Sequence, residues 1–358
     1  MIRLQHITAC LSMIFIMSGI VAAVEISVPG DFKRIQEAVD SASAGDVITV
    51  GPGVWFEAVD LKGKAITLRS AEGSKATTLD ATSLDESVLR CLTGEGPDTV
   101  VDGFTITGGT GHESLYGKRS AVGGGLVVIA TSPTIRNCIF RDNVVSYNGG
   151  GVYLAKGATA RFEGCSFEEN NAEKGGGVYS VQSNATFVGC SFTKNEARYS
   201  GGAMYNADGS RSMVNSCQFN RNRANYYGGA VYEYASISSI TDCKFDRNRA
   251  TYKGGAVYNG FRSTSSVASC SFLTNYDDVY GIKDFVATAV APTGACVLQG
   301  GSCLHVSKQS CEDAEGTYLG DESSCSSSQD LRASRGSDLN KDGQIDDRDA
   351  LMLLLLWR

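Results

Sequence analysis

Three things are scarce in this chain, and each scarcity removes a class of function. Histidine occurs three times in 358 residues, and His6 falls in a leader-like stretch, so only His112 and His305 remain for a Ser-His-Asp arrangement. Positive charge is outnumbered, with 32 Lys and Arg against 39 Asp and Glu and a formal charge of −7, so the basic footprint of a nucleic-acid binder is missing and no such partner is expected. Long apolar runs are absent too. The stretch from Ile7 to Ile20 and the tail from Leu351 to Trp357 are both short for a membrane span.

The chain does have repetition. From Gly123 to Asn275 one pattern recurs six times: apolar, two residues, Cys, one residue, Phe, two residues, Asn. Its cysteines are Cys138, Cys165, Cys190, Cys217, Cys243 and Cys270, spaced 27, 25, 27, 26 and 27 apart. Glycines punctuate each period at 149–151, 175–177, 201–202, 228–229 and 254–255. Self-similarity at this period signals a solenoid.

Spacing inside the repeat says which kind. Cys and Phe stand two apart, as residues on one face of a strand must, whereas the apolar residue three before Cys has the wrong parity and demands a corner between them. No repeat holds a ten-residue stretch of helical periodicity to compete. Short strands joined by corners and stacked coil on coil make a parallel β-helix. Each motif position then becomes a ladder about 4.8 Å in step. Phe and the apolar residue would fill the core, Asn would bond along a corner where left-handed backbone is tolerated, and the glycines would mark a corner of positive φ or close approach.

These repeats resemble the pectate-lyase-like superfamily, and the Gly-Gly-Ala-Val-Tyr and Phe-x-x-Asn pieces are similar to repeats of polymorphic outer-membrane proteins. The resemblance covers about half the chain. It implies an all-β, right-handed parallel β-helix, and it implies fold rather than activity.

Four segments are expected. Residues 1–23 read as a signal peptide, with Arg3 before the apolar run and Val21-Ala22-Ala23 as the cleavage site, placing the protein outside the cell or on its surface. Residues 24–292 are the β-helix domain. They open on a helical pattern of Phe32, Ile35, Ala38 and Val39, with Asp31 as N-cap, that would cover the first coil. An insertion between Gly108 and Gly123 carries His112, Glu113, Tyr116, Lys118 and Arg119; His112 is a candidate ligand-binding residue, since loops inserted into repeats often bind.

Residues 293–326 hold Cys296, Cys303, Cys311 and Cys325, and the segment resembles a cysteine module found near the C-terminus of some secreted bacterial proteins. Two disulfides are expected, with all three pairings open; the alternative is a zinc site joined by His305, although no Cys-x-x-Cys knuckle is present. Residues 327–358 form a linker and an acidic tail. The span 312–349 has eleven acids against four bases. Within it Asp338, Asn340, Asp342, Gln344 through its carbonyl, Asp346 and Asp349 stand at the ligand positions of an EF-hand-like Ca²⁺ loop, with Gly343 at the sharp turn. Asp at the last position and the following Ala350–Trp357 segment resemble a dockerin repeat. A complete dockerin has two repeats and this chain has one, so the expectation is a half-dockerin tail for sorting, anchoring or docking to a cohesin-like or cell-envelope partner.

The six repeat thiols are read as small buried hydrophobes, because a row of parallel side chains neither converges on a metal nor meets disulfide geometry. Tyr153, Tyr179, Tyr205, Tyr232 and Tyr258 form a further column, whose inward or outward direction the sequence leaves open. An outward column would offer an aromatic platform for sugar rings, with hydroxyls meeting Asn206, Asn259 and Glu233. For catalysis the material is Asp142, Glu168, Glu169, Asp242 and Asp246, with Arg136, Arg161, Arg221 and Arg247 nearby, and no lyase or hydrolase motif joins them. The expected role is a monomeric, non-catalytic surface scaffold binding a polysaccharide or cell-surface glycan; the alternative is a polysaccharide lyase or glycoside hydrolase acting on acidic polysaccharide.

Overall fold

The computed structural model describes residues 23–113, 120–275, 278–282, 293–297, 303–307 and 317–321. Residues 1–22 of the expected signal peptide, Tyr116, Lys118, Arg119, Cys311, Cys325 and the whole calcium loop lie outside them.

One coil shows how the sequence winds. Arg161–Glu163 is a strand of the first sheet, Ser166–Glu168 of the second, Asn171–Lys174 of a short fourth ladder and Val178–Val181 of the third sheet. Repeated along the chain, these stack as parallel ladders of ten, nine and nine strands plus the four-stranded ladder. Pairing is residue on residue, with Phe162 beside Phe187 and Phe167 beside Phe192. The expected corner between the apolar residue and Cys is present, and the residue just before Cys turns it in a left-handed conformation, as at Asn137, Gly164 and Ser216. At the Asn corner the left-handed residue is the one before Asn, such as Glu169 or Arg221, and not the Asn itself. That leaves the Asn side chain pointing inward.

Inside the tube the ladders are dry. Phe140, Phe167, Phe192, Phe219, Phe245 and Phe272 stack with ring centroids 4.6–5.1 Å apart, and the cysteines beside them are buried. The Asn column is fully hydrogen-bonded. Asn195 Nδ2 donates to the Phe167 carbonyl at 2.8 Å and to Asn222 Oδ1 at 3.0 Å, while its own Oδ1 accepts from Asn170 Nδ2 at 2.9 Å and the Asn170 backbone N–H at 3.2 Å. A buried amide therefore leaves neither donor nor acceptor without a partner. At the glycine corner both expected reasons apply. Gly201 has φ of +70°, and a Cβ on Gly202 would lie 2.2 Å from the Gly229 carbonyl oxygen of the next coil.

The helix, Ile35–Ser41, buries Ile35, Ala38 and Val39 in the same core and packs on Glu25–Val28, Val47–Val50 and Val59–Asp60 at the N-terminal end. Asp31 does not cap it. Its carboxylate instead accepts from Ser27 N–H and Oγ, and it stands three residues before the N-cap position, Arg34. Glu57, from a neighbouring coil, accepts from the Ile35 and Gln36 N–H groups at 3.0 and 3.2 Å. At the other end Lys64 Nζ donates to the Val39, Asp40 and Ala42 carbonyls, each at 2.7 Å. The two charges complement the helix dipole.

The insertion begins and ends as a pair of two-residue strands, His112–Glu113 antiparallel to Ala121–Val122. In the cysteine-rich segment Thr293–Val297 pairs antiparallel with Cys303–Ser307 and with Thr317–Asp321.

Candidate functional site

The third sheet resolves the direction of the tyrosine column. Val152, Val178, Met204, Val231 and Val257 are buried in the core, so their successors Tyr153, Tyr179, Tyr205, Tyr232 and Tyr258 project outward. The geometry of the rings differs from a platform. Consecutive centroids lie 5.6, 5.2, 4.7 and 5.3 Å apart, and Tyr280 continues the stack 5.0 Å from Tyr258. The ring faces are therefore spent on one another, and edges and hydroxyls are what they offer to solvent. Tyr153, Tyr179 and Tyr205 are buried beside Ala155 and Ala207, while Tyr280 is exposed. Burial pushes the Tyr232 hydroxyl up to about 12, with the neighbouring tyrosines adding to it, so it stays a neutral donor and acceptor.

Asn206, Asn259 and Glu233 do not join this face, which corrects the sequence expectation. They share the parity of Val231 and point into the tube. There Glu233 is completely buried and accepts from Asn206 Nδ2 at 2.9 Å, Ser236 Oγ at 2.6 Å and Ser238 Oγ at 2.9 Å. Burial raises its carboxyl to about 7 against the opposing pull of those hydrogen bonds.

A second aromatic ladder was missed, although its spacing is written in the sequence. Tyr199, Tyr226 and Tyr252 recur 27 and 26 residues apart, the repeat's own period. Their rings sit 5.8 and 5.5 Å apart beside the fourth ladder. Tyr227 bridges the two ladders, 4.6 Å from Tyr258 and 5.7 Å from Tyr252. The last three coils thus carry one continuous field of tyrosine. An open groove of about 340 Å³ runs along it, lined by Arg198, Tyr199, Asn225, Tyr226 and Tyr252.

Elsewhere charged groups gather in smaller sets. On the early coils the Arg90 guanidinium meets Glu86 at 2.6 Å and Asp60 at 3.8 Å, and His112 Nδ1 stands 3.8 Å from the same Glu86 carboxylate. The acids singled out from the repeats are dispersed: Asp142 and Glu169 occupy left-handed positions at one corner and Asp242 at another. Asp142, Glu169 and Asp246 pair with Arg141, Lys194 and Arg247 on the surface. Among the described residues no group of His, Cys, Asp and Glu converges in a metal-binding arrangement. The thiol ladder is inward and buried, and burial drives the Cys138 thiol up to about 12.

Fold and surface together define a parallel β-helical solenoid with an aromatic outer face. A family model described as a right handed beta helix region matches residues 124–311, just over half of the sequence, and the chain belongs to that family. No curated protein matches it. Among solved structures it is similar to the pectin methylesterase from carrot, at 14% identity and a TM-score of 0.48, covering 75% of this chain and 90% of that one. An Aspergillus niger pectin methylesterase is similar at 12% identity and 0.42, covering 74% and 85%. Pectate lyase Pel9A is similar at 12% and 0.42, covering 76% and 82%. Such distant likenesses carry no statement about activity.

Proposed function

We propose that the protein is a secreted or cell-surface scaffold that binds polysaccharide along the tyrosine field of its last coils, with its acidic tail as a Ca²⁺-dependent sorting or docking element. One observation carries the reading: two in-register tyrosine ladders merge through Tyr227 beside an open groove. Tyrosine edges and hydroxyls on a rigid support suit a ligand that alternates apolar ring faces with hydroxyl groups, at little entropic cost. The aromatic area exposed there includes Tyr226, Tyr252 and Tyr280. For the tail, Asp338, Asn340, Asp342, Gln344, Asp346 and Asp349 supply the oxygen donors Ca²⁺ prefers.

The test is gel retardation of the full chain in a panel of neutral and acidic polysaccharides, with Tyr226→Ala/Tyr252→Ala as the control. Retardation weakened about tenfold in the variant supports the reading. Unchanged mobility in every polysaccharide rejects it. Calorimetry should find Ca²⁺ binding that disappears in Asp338→Ala/Asp342→Ala.

A second reading rests on the early coils, where Asp60 and Glu86 bracket one guanidinium with His112 alongside. Two carboxyls in one place are the raw material of glycoside hydrolysis. New reducing ends or unsaturated products on the same panel, lost in Glu86→Gln, would favour it.

A further inference from the structure

The fourth ladder carries more than tyrosine. Ala197, Ala224 and Ala250 point inward and are buried, so Glu196, Arg223 and Arg249, paired in register one position earlier, project outward as a column. Three residues beyond each come Tyr199, Tyr226 and Tyr252, held in step by Tyr226 N–H to the Tyr199 carbonyl at 2.8 Å and Tyr252 N–H to the Tyr226 carbonyl at 3.0 Å. Two more cations flank the rings: the Arg198 guanidinium lies 5.7 Å over Tyr199, and Lys253 Nζ lies 4.2 Å over Tyr280. The result is a stripe of four positive side chains, Arg198, Arg223, Arg249 and Lys253, interleaved with tyrosines on a protein whose overall charge is −7. Of the nearby acids, Glu173 is engaged by Arg198 at 3.7 Å. Glu196 stands at the N-terminal end of the column. Arg223 makes no salt bridge among the described residues.

We infer that this stripe is a subsite for a polyanionic glycan, one bearing carboxylates or sulfates on its rings and lying along the tube axis. The inference rests on the glycan-binding reading and narrows its ligand class. Coils repeat every 4.8 Å or so, which presents a polymer along the axis with successive guanidinium and phenol groups at regular intervals. Arginine forks match planar carboxylate and sulfate oxygens, while the tyrosine edges and hydroxyls meet the ring between them. Single-stranded nucleic acid uses similar residue types, but bases need ring faces to stack on, and here those faces are largely taken by neighbouring tyrosines.

The experiment compares the full chain with Arg223→Ala/Arg249→Ala and Tyr226→Ala/Tyr252→Ala on four probes: polygalacturonate, dextran sulfate, neutral dextran and an oligothymidylate. Substitution of surface arginines leaves the core untouched, and circular dichroism verifies the fold. Binding to polygalacturonate or dextran sulfate should fall about tenfold or more in the arginine variant and weaken steeply with salt, with neutral dextran bound poorly by all forms. Which anionic probe binds more tightly separates a carboxylate from a sulfate ligand. Equal binding of neutral and anionic glycans, or wild-type affinity in the arginine variant, overturns the inference while leaving glycan binding intact. Tighter binding of the oligothymidylate than of either anionic glycan also overturns it. If no glycan is bound at all, the broader reading fails with it.

Discussion

The coils before Gly108 and those after Gly123 fill the same tube by different means. Early coils use an assorted interior of Ile48, Leu61, Leu68, Leu79, Leu89, Val101 and Phe104, and satisfy buried polar groups one at a time. Glu57 and Lys64 hold the helix ends, and Glu95 accepts from the Gly63 and Thr93 N–H groups at 2.7 and 3.0 Å. Later coils use one solution repeatedly, with each Phe stacked on its copy and each Asn bonded to its copy. In a one-off interior a substitution removes one contact set. In a ladder it injures the coils above and below together, because stability in stacked repeats resides in nearest-neighbour terms.

The largest expected effect follows from that difference. Phe192→Ala, which unstacks Phe167 and Phe219 at once, should cost about 3–5 kcal/mol in denaturant unfolding, the upper end for a core truncation. Leu79→Ala in the early coils should fall nearer 3 kcal/mol. Equal costs would mean the ladder adds nothing to ordinary burial.

Next in size is Glu233, a carboxyl buried among serines where other coils keep a neutral side chain. Its folded pKa, about 7, lies above the usual carboxylate range near 4.3, so folding favours the protonated form. Its stabilising share is complete below the unfolded pKa and is lost as pH rises toward 7, a change on the order of 3 kcal/mol. Glu233→Gln should remove that slope and be the more stable form at pH 8. Parallel pH profiles for the two proteins would show that the carboxyl does not titrate across this range.

Glu57→Ala should cost about 2 kcal/mol by leaving two helix N–H groups without their acceptor, an effect confined to the N-terminal end. Asn195→Ala should cost somewhat more, because it removes the acceptor of the Asn170 backbone N–H and of one Asn170 Nδ2 hydrogen as well as the amide donor to the Phe167 carbonyl. Hydrogen exchange gives the reach of each: slowed protection lost only near residues 35–41 for Glu57, and on both sides of the repeat for Asn195. The smallest effect is chemical. Native thiol labelling should leave Cys138 through Cys270 unmodified until denaturant is added, since all six are buried.

Much of this architecture was readable before any coordinates. The spacing of Ile135, Cys138, Phe140 and Asn143 implied a corner, a strand and a second corner, and each is present. The helix over Ile35 was visible from its apolar positions, but its cap was not, because Glu57 reaches it from another coil. The tyrosine stack at Tyr153–Tyr258 is visible as a column, and the parallel column at Tyr199, Tyr226 and Tyr252 shares its period.

A period of 25 to 27 residues with constant Cys, Phe and Asn positions was enough to dictate a tube of stacked parallel coils, since only in-register stacking lets identical side chains bury and bond one another. Tertiary structure alone decided which way Tyr205 and Glu233 face. Alternation along a strand says that they face opposite ways, but the choice between core and solvent depends on which side the winding encloses. It also decided that Arg223, Arg249 and the second tyrosine ladder share one stripe, because residues a full coil apart become neighbours only once the chain is wound.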